Sequence, residues 1–191
     1  MSENRALRPV ETDPEVFVHT RADRQLATEH WLLSAHPTPT RARREWTDHK
    51  MALLPLGILF SAVRIPQSLV LAVAVAGRAP HAEVDTFLAE ALNDGPVICD
   101  PRGHRYYALV PGSMPAKWSA AAEEWLGLGV GCLGRGTYLG VPRLDVEELD
   151  PEAWMSYWSV PIPSAGDLCA PLTVARLLAA GKHCLADRPD L

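Results

Sequence analysis

The sequence predicts an α+β domain with a mixed, mostly antiparallel sheet flanked by helices. Helical and strand-like patterns follow one another in the order α-α-β-β-α-α-β-β-α-β-β-α, without the strict β-α-β alternation of a parallel sheet. Two strand-like segments, 96–99 and 105–110, are separated by DPRGH, which is turn chemistry typical of a β-hairpin. The 191 residues suit one domain, expected over 21–191 after a loosely ordered N-terminus over 1–20.

The first third of the chain predicts two helices and two strands. Residues 22–35 carry apolar side chains at helical spacing, and Thr40 is a plausible N-cap for a second helix. The apolar stretch 51–66 is interrupted by Pro55 and Gly57, which predicts two short buried strands.

The remaining elements follow from periodicity and from turn residues. Gly181 and Lys182 are stop signals for the last helix. The expected helices cover 67–77, 81–94, 118–129 and 170–182, and the expected strands cover 136–142 and 154–162.

Charge is distributed unevenly along the chain. The net charge of −5 argues against a protein that coats nucleic acid non-specifically. Residues 101–143 are net basic, whereas 144–170 contain six acidic residues and no Lys or Arg. These two stretches predict either two solvated faces or a functional basic patch. No apolar run is long enough to span a membrane and the N-terminus is polar, so a cytoplasmic protein without a membrane partner is expected.

Four widely spaced cysteines predict free thiols rather than a disulfide framework. Cys169, His183 and Cys184 could in principle bind zinc, but adjacent ligands are poor spacing for a metal site. No metal or cofactor is therefore expected.

Two glycine-bearing segments, 101–112 and 133–143, are the strongest functional signal. Each places glycine beside basic and aromatic side chains, which contact phosphate and stack on bases. Each segment alone also fits a simple tight turn, and neither has Walker A or GxGxxG spacing. The candidate nucleotide- or nucleic-acid-binding residues are Arg102, His104, Arg105, Gly134, Arg135, Gly136 and Tyr138.

Taken together and in order, four segments resemble the N-terminal domain of bifunctional DNA primase/polymerase proteins, the prim-pol branch of the archaeo-eukaryotic primase superfamily. These segments are LLPLG, GHRYYALV, LGRGTYLGVP and SYWSVP, and the likeness covers about 51–161. The resemblance implies an RRM-like α+β core. It also implies that His104 matches the histidine that contacts the phosphates of the incoming nucleotide, and that Gly134, Gly136 and Tyr138 match the glycine-rich strand.

The chain departs from this family at the metal-binding acids. Active members carry carboxylates in the strand that here reads ILFSAVRIP, where this chain has Ser61 and Arg64. They carry a further acid where this chain has Val130, Gly131 and Cys132. Two-metal phosphoryl transfer needs such ligands. The resemblance therefore implies a degenerate member without polymerase activity.

The leading hypothesis is a prim-pol-like domain that binds DNA or a nucleotide in a replication or mobile-element context. One alternative is a protein-interaction or regulatory module that kept the fold and lost the ligand, which would have another protein as its partner. A third is an unrelated enzyme using Cys99 or His104.

Overall fold

The computed structural model describes residues 20–74, 76 and 82–187, so the predicted loose N-terminus and the predicted helix end at Gly77 lie outside the described residues. Seven helices and seven strands are found there. The helices are α1 Arg21–Ser34, α2 Pro39–His49, α3 Gln67–Ala74, α4 Ala82–Ala91, α5 Met114–Lys117, α6 Ser119–Leu126 and α7 Pro171–Ala186. The strands are β1 Met51–Pro55, β2 Phe60–Pro66, β3 Val97–Asp100, β4 Arg105–Pro111, β5 Gly131–Leu133, β6 Tyr138–Pro142 and β7 Tyr157–Val160.

Five strands form the main sheet in the order β5-β2-β4-β3-β7, and every neighbouring pair is antiparallel. The two remaining strands, β1 and β6, pair antiparallel as a separate ribbon. The predicted α+β class with a mostly antiparallel sheet flanked by helices is confirmed, as is the β3–β4 hairpin. The helices within residues 20–74 and 82–187 are too short or too polar to traverse a bilayer.

The main sheet has a core on each face, because successive side chains of a strand point to opposite sides. On the helical face, Val63, Tyr106 and Val97 belong to the core that includes residues of α3, α4 and α7. On the opposite face, Phe60 and Leu109 pack with residues of α1, α2 and the β1–β6 ribbon. We call this second side the ribbon face.

Two predicted helix boundaries are wrong, for identifiable reasons. The second helix begins at Pro39, which suits a first helical position, and its N-cap is Thr38 rather than Thr40. The last helix passes through Gly181 and ends at Ala186. Gly181 is buried where α7 meets α3, and a Cβ there would lie 2.5 Å from Cγ of Leu69, so this glycine permits close packing instead of ending the helix.

The short elements α5 and β5 were not predicted. The sequence around Gly131 did not predict the three-residue strand β5, because isolated glycines ordinarily indicate turns. Pairing with β2 stabilises this strand, although its local sequence has little strand propensity.

Candidate functional site

The turns of the two glycine segments, 101–104 and 134–137, lie at opposite ends of the main sheet. Arg105, which follows the first turn, pairs with Pro66, whereas Phe60 pairs with Pro111 six residues further along β4. Leu133, which precedes the second segment, pairs with Ala62 near the Phe60 end. At about 3.3 Å per strand residue the two segments are roughly 20 Å apart. They therefore do not form one site.

The first segment is a closed turn between β3 and β4. The Asp100 carboxylate accepts a hydrogen bond from the Gly103 amide at 2.9 Å. His104 has φ +51°, its carbonyl accepts from the Gln67 amide at 3.0 Å, and its Nδ1 lies 3.4 Å from Gln67 Oε1. Arg102 donates to the Ala153 carbonyl at 2.6 Å. His104 thus faces the start of α3, while Arg102 faces the segment before β7.

The second segment connects β5 to the ribbon. The Thr137 hydroxyl donates to the Gly134 carbonyl at 2.6 Å and closes the turn. Arg135 and Gly136 are exposed, and Tyr138 lies opposite Pro55 in the ribbon with 58% of its surface exposed. Together with exposed Leu53 and Ile58 at this end of the molecule, Tyr138 forms a surface that we call the apolar tip.

The ribbon face becomes accessible toward the Pro66 end of the sheet. Phe60 and Leu109, nearer the other end of this face, are fully buried. Toward Pro66, the register partners Arg64 on β2 and Tyr107 on β4 are only half-buried. The Arg64 guanidinium lies over Gly131, where a Cβ would be 3.1 Å from Nη2.

The Arg64 side chain makes no hydrogen bond or ion pair to another residue of the described chain. A partly buried cation without a partner is costly, because it loses water without gaining a counter-charge. Arg64 is therefore available to an anion from outside the chain.

A cleft of about 720 Å³ adjoins this end of the sheet. The end of α2 and the start of β1 line one part of it, the segment 153–156 lines another, and Asp100 and Arg102 contribute from the hairpin. The charged residues that line it are Asp48, Lys50, Asp100 and Arg102, together with the imidazole of His49.

Trp154 lines the cleft with 44% of its surface exposed and with φ +49°. Positive φ is unusual for a bulky side chain, and such residues concentrate at functional sites. The Asp150 carboxylate accepts from the amides of Glu152 at 2.9 Å and Ala153 at 3.1 Å, and its carbonyl accepts from the Trp154 amide at 2.8 Å. This turn holds an indole at the cleft surface.

Sequence reasoning did not select Arg64, Tyr107, Lys50 or Trp154 as site residues. A signal existed for Arg64, which is the only charged residue in the apolar strand FSAVRIP. Adjacent residues of a strand point to opposite faces, so Tyr106 is fully buried on the helical face while Tyr107 lies half-buried on the ribbon face. No local pattern indicated the exposure of Trp154.

A separate polar cluster lies on the helical side of the sheet. The hydroxyls of Tyr157 and Ser159 on β7 both donate to the Asp85 carboxylate of α4. Burial raises the pKa of the nearby Cys99 thiol to about 12 and also raises the pKa of Tyr157. Cys99 therefore stays a protonated thiol at neutral pH, which leaves the cysteine-nucleophile alternative without support.

Native alkylation is expected to spare Cys99 and Cys169. Both are buried, and desolvation raises the pKa of each thiol to about 12, so the reactive thiolate is scarce at pH 8. Iodoacetamide treatment followed by peptide mass spectrometry should show neither modified in the folded protein, and all four cysteines modified in urea. Rapid modification of Cys99 in protein that keeps its native circular dichroism would contradict this.

Comparisons with protein-family models, curated proteins and solved structures give no significant match. Among the described residues, no group of three or more His, Cys, Asp or Glu side chains could hold a metal ion.

Proposed function

We propose that this chain is a prim-pol-like domain without polymerase activity that binds single-stranded nucleic acid or a nucleotide. The binding surface consists of the accessible end of the ribbon face and the adjoining cleft. The observation that carries the proposal is half-buried Arg64, which has no hydrogen-bond or ion-pair partner among the described residues and lies beside Tyr107.

The chemistry of this surface suits a nucleotide. A guanidinium binds phosphate through a planar fork of donors, and exposed faces of Tyr107 and Trp154 offer stacking surfaces for bases. Arg102 and Lys50 add positive charge at the cleft. His104 and Arg105 follow Arg102 in the hairpin, whereas the four candidate residues of the second glycine segment lie at the other end of the sheet.

Topology supports the resemblance to the prim-pol family. Chain order runs from β2 through α3 and α4 to β3 and β4, then through α5 and α6 to β5, which is a β-α-β-β-α-β connection. In RRM-like sheets, aromatic side chains on the face away from the helices stack on bases. Tyr107 occupies that face here and is half-buried.

The absence of polymerase activity is proposed from Arg64. It stands in the strand where active members of the resembled family carry metal-binding acids, and a cation there opposes metal binding. A role in replication or mobile-element maintenance rests on the resemblance alone.

Fluorescence anisotropy at low salt tests the proposal, with a labelled single-stranded oligonucleotide, a primed template and a nucleoside triphosphate as ligands. We expect binding that weakens as salt rises, because phosphate contacts release counterions. If none of the three ligands binds at low salt, the proposal is overturned.

The apolar tip favours a second candidate function, a protein-interaction module. Leu53, Ile58 and Tyr138 expose at least half of their surfaces at the end away from Arg64. Pull-down from the native host compares the wild type with Tyr138→Ser and Arg64→Gln. A partner lost only in Tyr138→Ser supports this candidate, and a partner lost only in Arg64→Gln contradicts it.

Trp154→Asn is expected to weaken oligonucleotide binding about tenfold while leaving stability unchanged or slightly raised. Stacking on an aromatic side chain contributes about 1–3 kcal/mol per base. Asparagine tolerates the left-handed backbone that tryptophan adopts there under strain. Anisotropy and thermal unfolding measure the two effects. Leu172→Asn, at an equally exposed apolar position at the start of α7, is the control and should leave binding unchanged.

A further inference from the structure

Two carboxylates and two cations line the same cleft. Asp100 is half-buried, and one of its oxygens accepts from the Gly103 amide. Asp48, at the end of α2, is exposed and makes no hydrogen bond or ion pair within the described residues. Lys50 and Arg102 are exposed in the same cleft. Lys50, Arg102 and Asp48 thus lie near solvent, while Asp100 is the more buried of the charged residues.

This arrangement sorts the parts of a nucleotide. Phosphate oxygens are repelled by a carboxylate and attracted to Lys50 and Arg102. Bases are uncharged, and several carry exocyclic amino groups that donate to carboxylates, as cytosine N4 does to Asp or Glu. A base directed inward places its amino group beside the Asp100 carboxylate. Its phosphates, directed outward, then lie beside Lys50 and Arg102.

The cleft volume and Trp154 restrict the shape of the ligand. About 720 Å³ falls within the range of small-molecule sites, and it accommodates an unstacked base with its sugar. A base in a duplex is stacked on both sides, so it cannot reach Trp154 without being unpaired. The ligand is therefore a single strand.

We propose, as an inference that rests on the proposed function, that the cleft binds one unstacked base of a single-stranded nucleic acid. The base stacks on Trp154, its amino-bearing edge donates to Asp100, and the flanking phosphates stay outside on Lys50 and Arg102. Cytosine and adenine are then preferred over thymine and uracil, whose corresponding edge presents a carbonyl oxygen to the carboxylate.

Competition anisotropy with unlabelled oligo(dC), oligo(dA), oligo(dT) and a mixed-sequence duplex of equal length tests this inference. We expect oligo(dC) to bind about tenfold more tightly than oligo(dT), since a hydrogen bond to a charged group contributes that order of discrimination. Oligo(dA) should follow oligo(dC), and the duplex should compete more weakly than either.

Asp100→Asn identifies the residue responsible. The amide oxygen retains the acceptor for the Gly103 amide, and the amide nitrogen can donate to the thymine carbonyl. The preference for oligo(dC) over oligo(dT) should fall toward unity without loss of overall affinity. Asp167→Asn makes the same charge change at an exposed position before α7 and should keep the preference.

The outcomes separate this inference from the proposed function. If oligonucleotides bind but oligo(dT) equals oligo(dC), or if the preference survives in Asp100→Asn, the inference is overturned and the proposed function stands. A duplex that competes as well as oligo(dC) overturns it too. If no nucleic acid or nucleotide binds, both are overturned.

Discussion

Gly57→Ala is expected to destabilise the protein by about 3 kcal/mol, because two penalties act together. Gly57 has φ +90°, which side-chain-bearing residues rarely adopt. A Cβ there would also lie 2.5 Å from Cα of Arg135, so a backbone would have to move. The Leu56 amide donates to the Thr137 carbonyl at 2.9 Å, and the Gly57 amide donates to the Phe60 carbonyl at 2.7 Å. These hydrogen bonds hold the two backbone segments in place. Urea unfolding followed by circular dichroism measures the loss.

Gly136→Ala is the matched control for this prediction. Gly136 also has positive φ, +85°, but nothing lies within 4 Å of the position its Cβ would occupy. Its substitution should cost only the backbone strain, about 1 kcal/mol. The difference between the two variants then measures the close approach of Gly57 to Arg135. Equal losses in both variants would show that the contact contributes nothing.

Arg64→Gln is expected to weaken binding of a single-stranded oligonucleotide roughly tenfold to thirtyfold at low salt, through the loss of a charged hydrogen-bond donor. The salt dependence should also become shallower, by about 0.7 in the log–log slope for each phosphate no longer neutralised. Stability should hold or rise slightly, because a half-buried cation without a partner in the described chain is removed. Anisotropy titrations across a salt series, with thermal unfolding alongside, measure these effects.

Arg176→Gln controls for net charge, since Arg176 is exposed on α7, a helix of the helical face. It should leave both affinity and salt slope near the wild type. A decrease in affinity of the same size in both variants would mean that oligonucleotides bind through general charge, and Arg64 would lose its assigned role.

Local chemistry predicted most elements of this fold. The Asp-Pro-Arg-Gly-His turn specifies the hairpin between β3 and β4, since turn residues act over a few positions of chain. By contrast, β1 pairs with β6, and no sequence pattern near either strand indicates that the two strands pair with each other. The separate ribbon could therefore not be predicted, and neither could the cover that it places on one face of the sheet.

The site depended on the same non-local information. Arg64 was visible in the sequence as a cation within an apolar strand, but its neighbour Tyr107 follows only from the β2–β4 register. Arg102 reaches the segment that carries Trp154 through a hydrogen bond to the Ala153 carbonyl, a contact between residues far apart in sequence. The two glycine segments share composition, and only the strand register shows that the turns 101–104 and 134–137 lie at opposite ends of the main sheet.

The pairing of β1 with β6 also affects the order in which parts of the structure form during folding. It joins residues 51–55 to 138–142 and so closes a loop that contains strands β2 to β5 of the main sheet. Long-range pairing is slow, because the loop-closure entropy is lost before the contacts form. The start of β1 lines the cleft, so ligand-binding competence should be regained after most secondary structure during refolding. Far-UV circular dichroism and oligonucleotide binding, followed in parallel after dilution from denaturant, would reveal that delay.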